Sequence, residues 1–330
     1  MTRSRLKIAH DLAAFSLPTE GEIAIFGAPG SVALQAEFGD RLHYISTDRP
    51  AYAAIEAAGG RVSHEAGTGY AAAVVMLPRA KAAAKWLIGQ AAGRVVPGGL
   101  VLVDGQKTDG IETAVKECKS RLTLIDSYVK AHGRLFWFHA APGLEDWAEL
   151  HLNWPKPEGY QTAPGVFSAD GIDPGSAALI EDLTGPLKGH GADFGAGWGY
   201  LSKNLLQAHP GIKQLDLVEA DLIALEAAKV NIDDPRAQFH WADATTWQAS
   251  GKLDFVITNP PFHSGREATP DLGKAFLRQA ASNLAPRGVL WAVANKQLPY
   301  ESLMEELFQQ TEFRRVSPGY KVLIGQRPKR

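Results

Sequence analysis

Two short stretches carry residue types whose spacing could do chemistry. The first is Thr258-Asn259-Pro260-Pro261-Phe262-His263, directly after the β-rich run Asp254–Thr258. Consecutive prolines lock the backbone and leave their carbonyls without neighbouring amide donors. Such a carbonyl and the Asn259 side-chain oxygen make two acceptors aimed at one point. An exocyclic amine or amide NH2 donates two protons, and holding both directs its lone pair at an electrophile. Phe262 adds a flat face on which a planar group can stack. No strong base is needed before attack. Alone, Asn-Pro-Pro reads equally as a rigid turn.

The second stretch is Asp193-Phe194-Gly195-Ala196-Gly197-Trp198-Gly199, ahead of the helical pattern LSKNLLQAH. Glycines at such a turn admit close approach of a ligand to the backbone, and the helix start offers unpaired N–H groups. Asp193 precedes the first glycine by two residues, and Glu219 ends the next strand, 20 residues after Gly199. An acid there can accept from both hydroxyls of a ribose. Asp243, after a third strand, could meet an adenine amino group. The set fits an adenosine-containing ligand. A nicotinamide dinucleotide would want GxGxxG, and the spacing here is GxGxG. The competing structural reading is a tight turn with solvated acids.

These residues need a sheet to converge. Asp254–Thr258 and Val289–Val293 are short β runs, and Leu272, Phe276, Ala280 and Leu284 between them would line one helical face. The pattern recurs. Ile23–Gly30 resembles Gly191–Gly199, Asp48–Gly59 resembles Glu219–Lys229, and Val74–Gln106 resembles Val256–Lys296, in the same order. Strands alternating with helices in two copies predict two tandem, duplicated α/β domains of the Rossmann-like kind. Each would be a doubly wound, mainly parallel sheet, and the second would close on an antiparallel edge hairpin around Pro318-Gly319. The expected boundaries are 1–141 and 165–330. The proline-rich segment 142–164 would be a linker, with Trp147 and Trp154 packed against one half.

The first copy lacks the chemistry. It has Leu77-Pro78-Arg79 in place of Asn-Pro-Pro and a shorter glycine turn, Gly27-Ala28-Pro29-Gly30. It has charge instead. Of 330 residues, 34 are Lys or Arg and 36 Asp or Glu, for a net −2 that excludes a wholesale polycation. Yet Arg79–Arg134 holds ten basic residues against five acidic, a local +5. Lys116, Lys119 and Arg121 fall in this run. Cations clustered on one domain suit a phosphate backbone, and solvated helix faces are the bland alternative. A single cysteine and ten scattered histidines exclude a cysteine-based zinc site and give no reason to expect a metal. No run is apolar enough for a membrane span and no secretory leader shows, so a cytoplasmic monomer is expected.

Together DFGAGWG, Glu219, Asp243 and NPPFH resemble a class I S-adenosylmethionine-dependent methyltransferase acting on an amino nitrogen. With Gly165–Ile180 (GVFSADGIDPGSAALI), TNPPFHSG and YKVLIG, the chain resembles the bacterial small-subunit ribosomal RNA guanine-N2 methyltransferases of the RsmC-like group. The resemblance is specific over about 165–326 and weaker before it, where that group carries an inactive copy of its fold. It implies S-adenosylmethionine as cofactor and ribosomal RNA or a ribosomal subunit as partner. Asp193, Gly195, Ala196, Gly197 and Gly199 would line the methionine and ribose end. Glu219, with Ala220 beside it, would hold the ribose, and Asp243 with Ala244 the adenine. Phe167, Asp173 and Ser176 would close over the cofactor, which Asn259 would also touch. Asn259 and Pro260 would hold the guanine amine next to Pro261, with Phe262 stacking on the base beside His263, and Lys116, Lys119 and Arg121 would meet RNA. Trp198 departs from the small residues usual at its position. Large-subunit RNA, an adenine amine, a protein glutamine amide and a non-catalytic RNA-binding role are the alternatives.

Overall fold

The computed structural model describes residues 4–150, 157–261, 263–264, 267–268 and 270–329. The chain forms two compact units, Met1–Trp154 and Pro155–Arg330. The first contains strands β1 (Ile23–Phe26), β2 (Leu42–Ile45), β3 (Val62–Ser63), β4 (Tyr70–Met76), β5 (Val95–Gln106), β6 (Asp126–Lys130) and β7 (Gly133–His139). Its helices are α1 (Arg5–Asp11), α2 (Ala33–Phe38), α3 (Arg49–Ala57), α4 (Lys81–Arg94), α5 (Ile111–Lys119) and α6 (Glu145–Ala148). Strand order is β3-β2-β1-β4-β5-β7-β6. The first five run parallel, and β7 lies antiparallel to both β5 and β6. Both faces are covered, which is why β4 reads as a continuous apolar run, YAAAVVM. Val101 and Val103 of β5 face one core cluster and Leu100 and Leu102 the other.

The second unit repeats the plan. Its strands are β8 (Gly189–Phe194), β9 (Ile212–Glu219), β10 (Ala237–Trp241), β11 (Leu253–Thr258), β12 (His263–Ser264), β13 (Glu267–Ala268), β14 (Leu284–Asn295), β15 (Phe308–Arg315) and β16 (Tyr320–Pro328). Helices α7 (Pro174–Asp182), α8 (Tyr200–Ala208), α9 (Leu222–Asn231), α10 (Pro270–Asn283) and α11 (Glu301–Leu307) complete it. The main sheet runs β10-β9-β8-β11-β14-β16-β15, the same order as in the first unit, and β12 and β13 form a separate two-stranded ladder. The expected hairpin is present, with Arg315 opposite Lys321.

Two local readings differ. Leu284 begins β14 instead of extending the α10 face, because Asn283 ends the helix and accepts the Ala249 amide on its side chain. The segment 142–164 contains α6 despite its prolines. Trp147 from α6 is buried in the first unit's core, so close to α4 that a Cβ on Gly89 would sit 2.4 Å from the Ala148 nitrogen. Ala163 is buried in the second unit, with Tyr160 packed beside it. Trp154 lies outside the described residues. Among the described residues no helix is long and apolar enough to cross a membrane.

Candidate active site

Strand order in the second unit reverses between β8 and β11, and ligands bind outside the carboxyl ends of strands at such a point. Register brings the carriers there. Phe194 lies opposite Val218 and Thr258, and Trp241 lies opposite Glu219. The glycine turn, Glu219, the residues after β10 and Asn259 therefore leave adjacent strand ends.

The turn runs from Gly195 to Gly199, which precedes α8. Gly199 has φ 92°, and a Cβ there would meet the Ile232 side chain at 2.8 Å. Gly197 has φ 56° and open space where a Cβ would stand, so its backbone can be approached closely. The Gly197 amide donates to Glu219 Oε2 at 2.8 Å, and the Asp221 amide donates to Oε1 at 2.8 Å. Burial raises the Glu219 carboxyl to about 7 despite those amides. Asp193 is fully buried beneath the turn and stands off the cleft wall. Its Oδ2 accepts from Ser202 at 2.7 Å, while Oδ1 is enclosed without a partner. Burial, with Glu219 adding like charge, raises Asp193 to about 7 as well. Asp243 Oδ1 accepts from the Thr245 amide and hydroxyl, at 2.8 and 2.7 Å. The Ala244 methyl is buried in the core.

A cleft of about 380 Å³ opens beside the turn, lined by Phe167, Asp173, Ser176, Gly195, Gly197 and Asn259 among others. Thr258 fixes the approach to Asn259 by donating its hydroxyl to the Phe194 carbonyl at 2.7 Å. The Asn259 amide nitrogen donates to Asp173 Oδ2 at 2.8 Å and to Ser176 Oγ at 2.9 Å. Asp173 and Ser176, expected to close over a cofactor, thus also touch the amide expected to hold the acceptor. Phe262 and the His263 side chain lie outside the described residues. Among the described residues no group of three or more His, Cys, Asp and Glu side chains could hold a metal ion.

Trp198 explains its own departure. Its indole is buried beside Tyr160, Ala163 and Val166, and its Nε1 donates to the Phe167 carbonyl at 2.9 Å. Asn231, which sequence reasoning missed, ties the same segment down. Its Nδ2 donates to the carbonyls of Trp198 (2.7 Å) and Gln161 (2.9 Å), and its Oδ1 accepts the Gln161 amide. No periodicity or motif marks Asn231, whose partners Trp198 and Gln161 lie 33 and 70 positions away. Phe167 is left 57% exposed at the cleft.

Among the described residues, the first unit's matching strand ends lack the strand-end acid and the Asn-Pro-Pro of the second. Asp48 caps α3 as Asp221 caps α9, but two residues before the cap stands Ser46 where the second unit has Glu219. Its basic run is partly spent internally. Arg121 makes a two-point ion pair with Asp146, at 2.6 and 3.0 Å, and lies 5.1 Å over the Trp147 ring. Lys81 and Lys85 share Glu117, each at 3.1 Å. Lys116 and Lys119, at the end of α5, are exposed.

A sheet of this order, with a glycine turn after its first strand, an acid closing the second and Asn-Pro-Pro after the fourth, defines a class I methyltransferase domain. The family model of the methyltransferase small domain matches residues 159–324. A ribosomal RNA small subunit methyltransferase C from Shewanella halifaxensis is 32% identical over 263 residues, 76% of this chain and 75% of that protein. The Shewanella oneidensis protein of that name is 31% identical over 275 residues, 78% of this chain and 77% of that one. A solved T. thermophilus 16S rRNA N2 methyltransferase (RsmC), in complex with AdoMet and guanosine, is 26% identical. That match covers 97% of this chain and 92% of the solved one, with a TM-score of 0.75. The chain belongs to the ribosomal RNA small subunit methyltransferase C family.

Proposed function

We propose that the second unit transfers a methyl group from S-adenosylmethionine to the N2 amine of a guanine in small-subunit ribosomal RNA. The observation that carries this is the Asn259 amide. Its nitrogen is engaged by Asp173 and Ser176, so its oxygen is the end left to accept from an amine at the cleft. The names of the relatives supply the RNA class.

The residues present fit the cofactor. Gly197 offers backbone with open space before it, and Glu219 stands at the next strand end, where its ionised form would accept from ribose hydroxyls. When bound, S-adenosylmethionine supplies an electrophilic methyl group and its sulfur keeps the electron pair of the broken S–C bond. The glycine turn and Glu219 hold the ribose end, and Asp243 meets the adenine. Asn259 Oδ1 and the Pro260 carbonyl accept the two protons of the guanine amine, which aims its lone pair at the methyl carbon. The nitrogen forms the new N–C bond and then loses one proton to solvent. Orientation and hydrogen bonding are the protein's contribution. The guanine must leave its stack to reach the cleft.

The first unit serves RNA binding in this reading, through Lys116 and Lys119. Incubation with methyl-labelled cofactor, free 16S RNA and both ribosomal subunits, followed by nucleoside analysis, tests the reaction. Label in N2-methylguanosine is expected, and Asn259→Ala should abolish it while cofactor affinity stays. Label only in N6-methyladenosine or in protein overturns the acceptor. Absence of cofactor binding by calorimetry overturns the enzyme altogether.

A further inference from the structure

An asparagine amide is nearly symmetric in shape and opposite in chemistry at its two ends. With Oδ1 toward the acceptor, Asn259 accepts an amine proton. Flipped, it would set Nδ2 against the amine, donor facing donor, or bind the very lone pair that must attack. Something has to choose the orientation, and the choice lies behind the residue. Nδ2 faces Asp173 Oδ2 at 2.8 Å and Ser176 Oγ at 2.9 Å. An ionised carboxylate can only accept, so a flip would place the Asn259 oxygen against the Asp173 oxygen.

Asp173 is itself held firmly. It is the N-cap of α7, is buried, and its Oδ2 also accepts the Ser176 amide at 2.8 Å. The start of α7 presses on the sheet, since a Cβ on Gly175 would meet the Tyr320 ring at 2.8 Å. A carboxylate behind an amide also polarises it. Electron density moves toward Oδ1, which becomes the stronger acceptor as positive charge grows on the methylated nitrogen.

We infer that Asp173, helped by Ser176, is a positioning residue for the acceptor. It holds the Asn259 amide with Oδ1 toward the guanine amine and polarises that oxygen. This rests on the reading of Asn259 given above, and it assigns Asp173 and Ser176 to the acceptor, where closure over the cofactor was expected.

Three variants of the full chain test it. Asp173→Ser keeps a good helix cap but is too short to reach Asn259. It should lower kcat about 100-fold, the scale expected of a misplaced reacting group. Cofactor affinity by calorimetry and the melting temperature should hold. It should also lose the preference for guanosine over inosine, which lacks the 2-amino group, in binding assays without turnover. Asn259→Asp sets two carboxylates face to face and should be inactive. Asp173→Asn/Asn259→Asp restores a donor behind an acceptor and should regain at least about tenfold over Asn259→Asp alone. Wild-type kcat and base preference in Asp173→Ser, or no recovery in the double variant, overturns the inference. Collapse of cofactor affinity in Asp173→Ser returns the residue to the cofactor and equally overturns it. Full activity in Asn259→Ala would instead sink the proposed role of Asn259, which separates the two failures.

Discussion

Glu219 accepts the Gly197 amide proton across 2.8 Å, so the acid expected to hold a ribose also braces the glycine turn. Burial raises this carboxyl to about 7 from an ordinary 4.5. The folded state therefore holds a proton that the unfolded chain releases near 4.5. The contribution of this proton to stability is present at low pH and lost as pH rises through about 7. Ribose hydroxyls donate to a carboxylate and favour its charged form, so cofactor binding should expel the proton. Affinity should rise between about pH 5 and 7, by at most about tenfold per unit, and level off above. Calorimetry near pH 6 in two buffers of different ionisation enthalpy should show proton release, and near pH 8 none. Glu219→Gln should remove most of that release. If release persists, Asp193, also near 7, is the titrating group.

The Trp198 indole joins the glycine turn to the segment before α7 through one hydrogen bond, Nε1 to the Phe167 carbonyl at 2.9 Å. Trp198→Phe keeps the ring packing and removes that donor. The net worth of such a bond is about 1 kcal/mol, so cofactor affinity should weaken by at most about fivefold and melting should fall by about 2–4 °C. Trp198→Ala also empties a core position, at a cost of about 3–5 kcal/mol. Melting should fall by about 10 °C. Equal melting temperatures for the two variants would show that the ring contributes no packing.

How far the sequence reached follows from the range of each interaction. Strand β11, the glycine turn and the closing hairpin were legible because apolar runs, glycine and Pro-Gly are local signals. The repeat showed because equal local signals recur in equal order. The Asn259–Asp173 contact joins residues 86 positions apart, and no periodicity encodes it. Asp173 was singled out by resemblance, and its link to the amide needed coordinates. The resemblance places Asp193 at the cofactor, and only coordinates show its carboxylate buried with Oδ2 accepting from Ser202. Arg121 counted as a free cation because a charge tally cannot see Asp146 or Trp147 packed against it.

That pairing separates two kinds of basic residue in the first unit. Lys116 and Lys119 sit exposed at the end of α5, while Arg121 clamps α6 through Asp146 and the Trp147 face. If the lysines meet RNA phosphates, Lys116→Glu with Lys119→Glu should weaken binding to 16S RNA uniformly across sequences. Each lost phosphate contact should remove about 0.7–0.9 from the slope of log affinity against log salt, so about 1.4–1.8 for both. Melting should not change, because neither lysine is buried. Arg121→Glu should behave differently. It sets a second carboxylate beside Asp146, which loses the partner that holds its carboxyl below the ordinary range. The first unit should then melt earlier. A salt slope unchanged in the lysine variant would move the RNA contact away from α5.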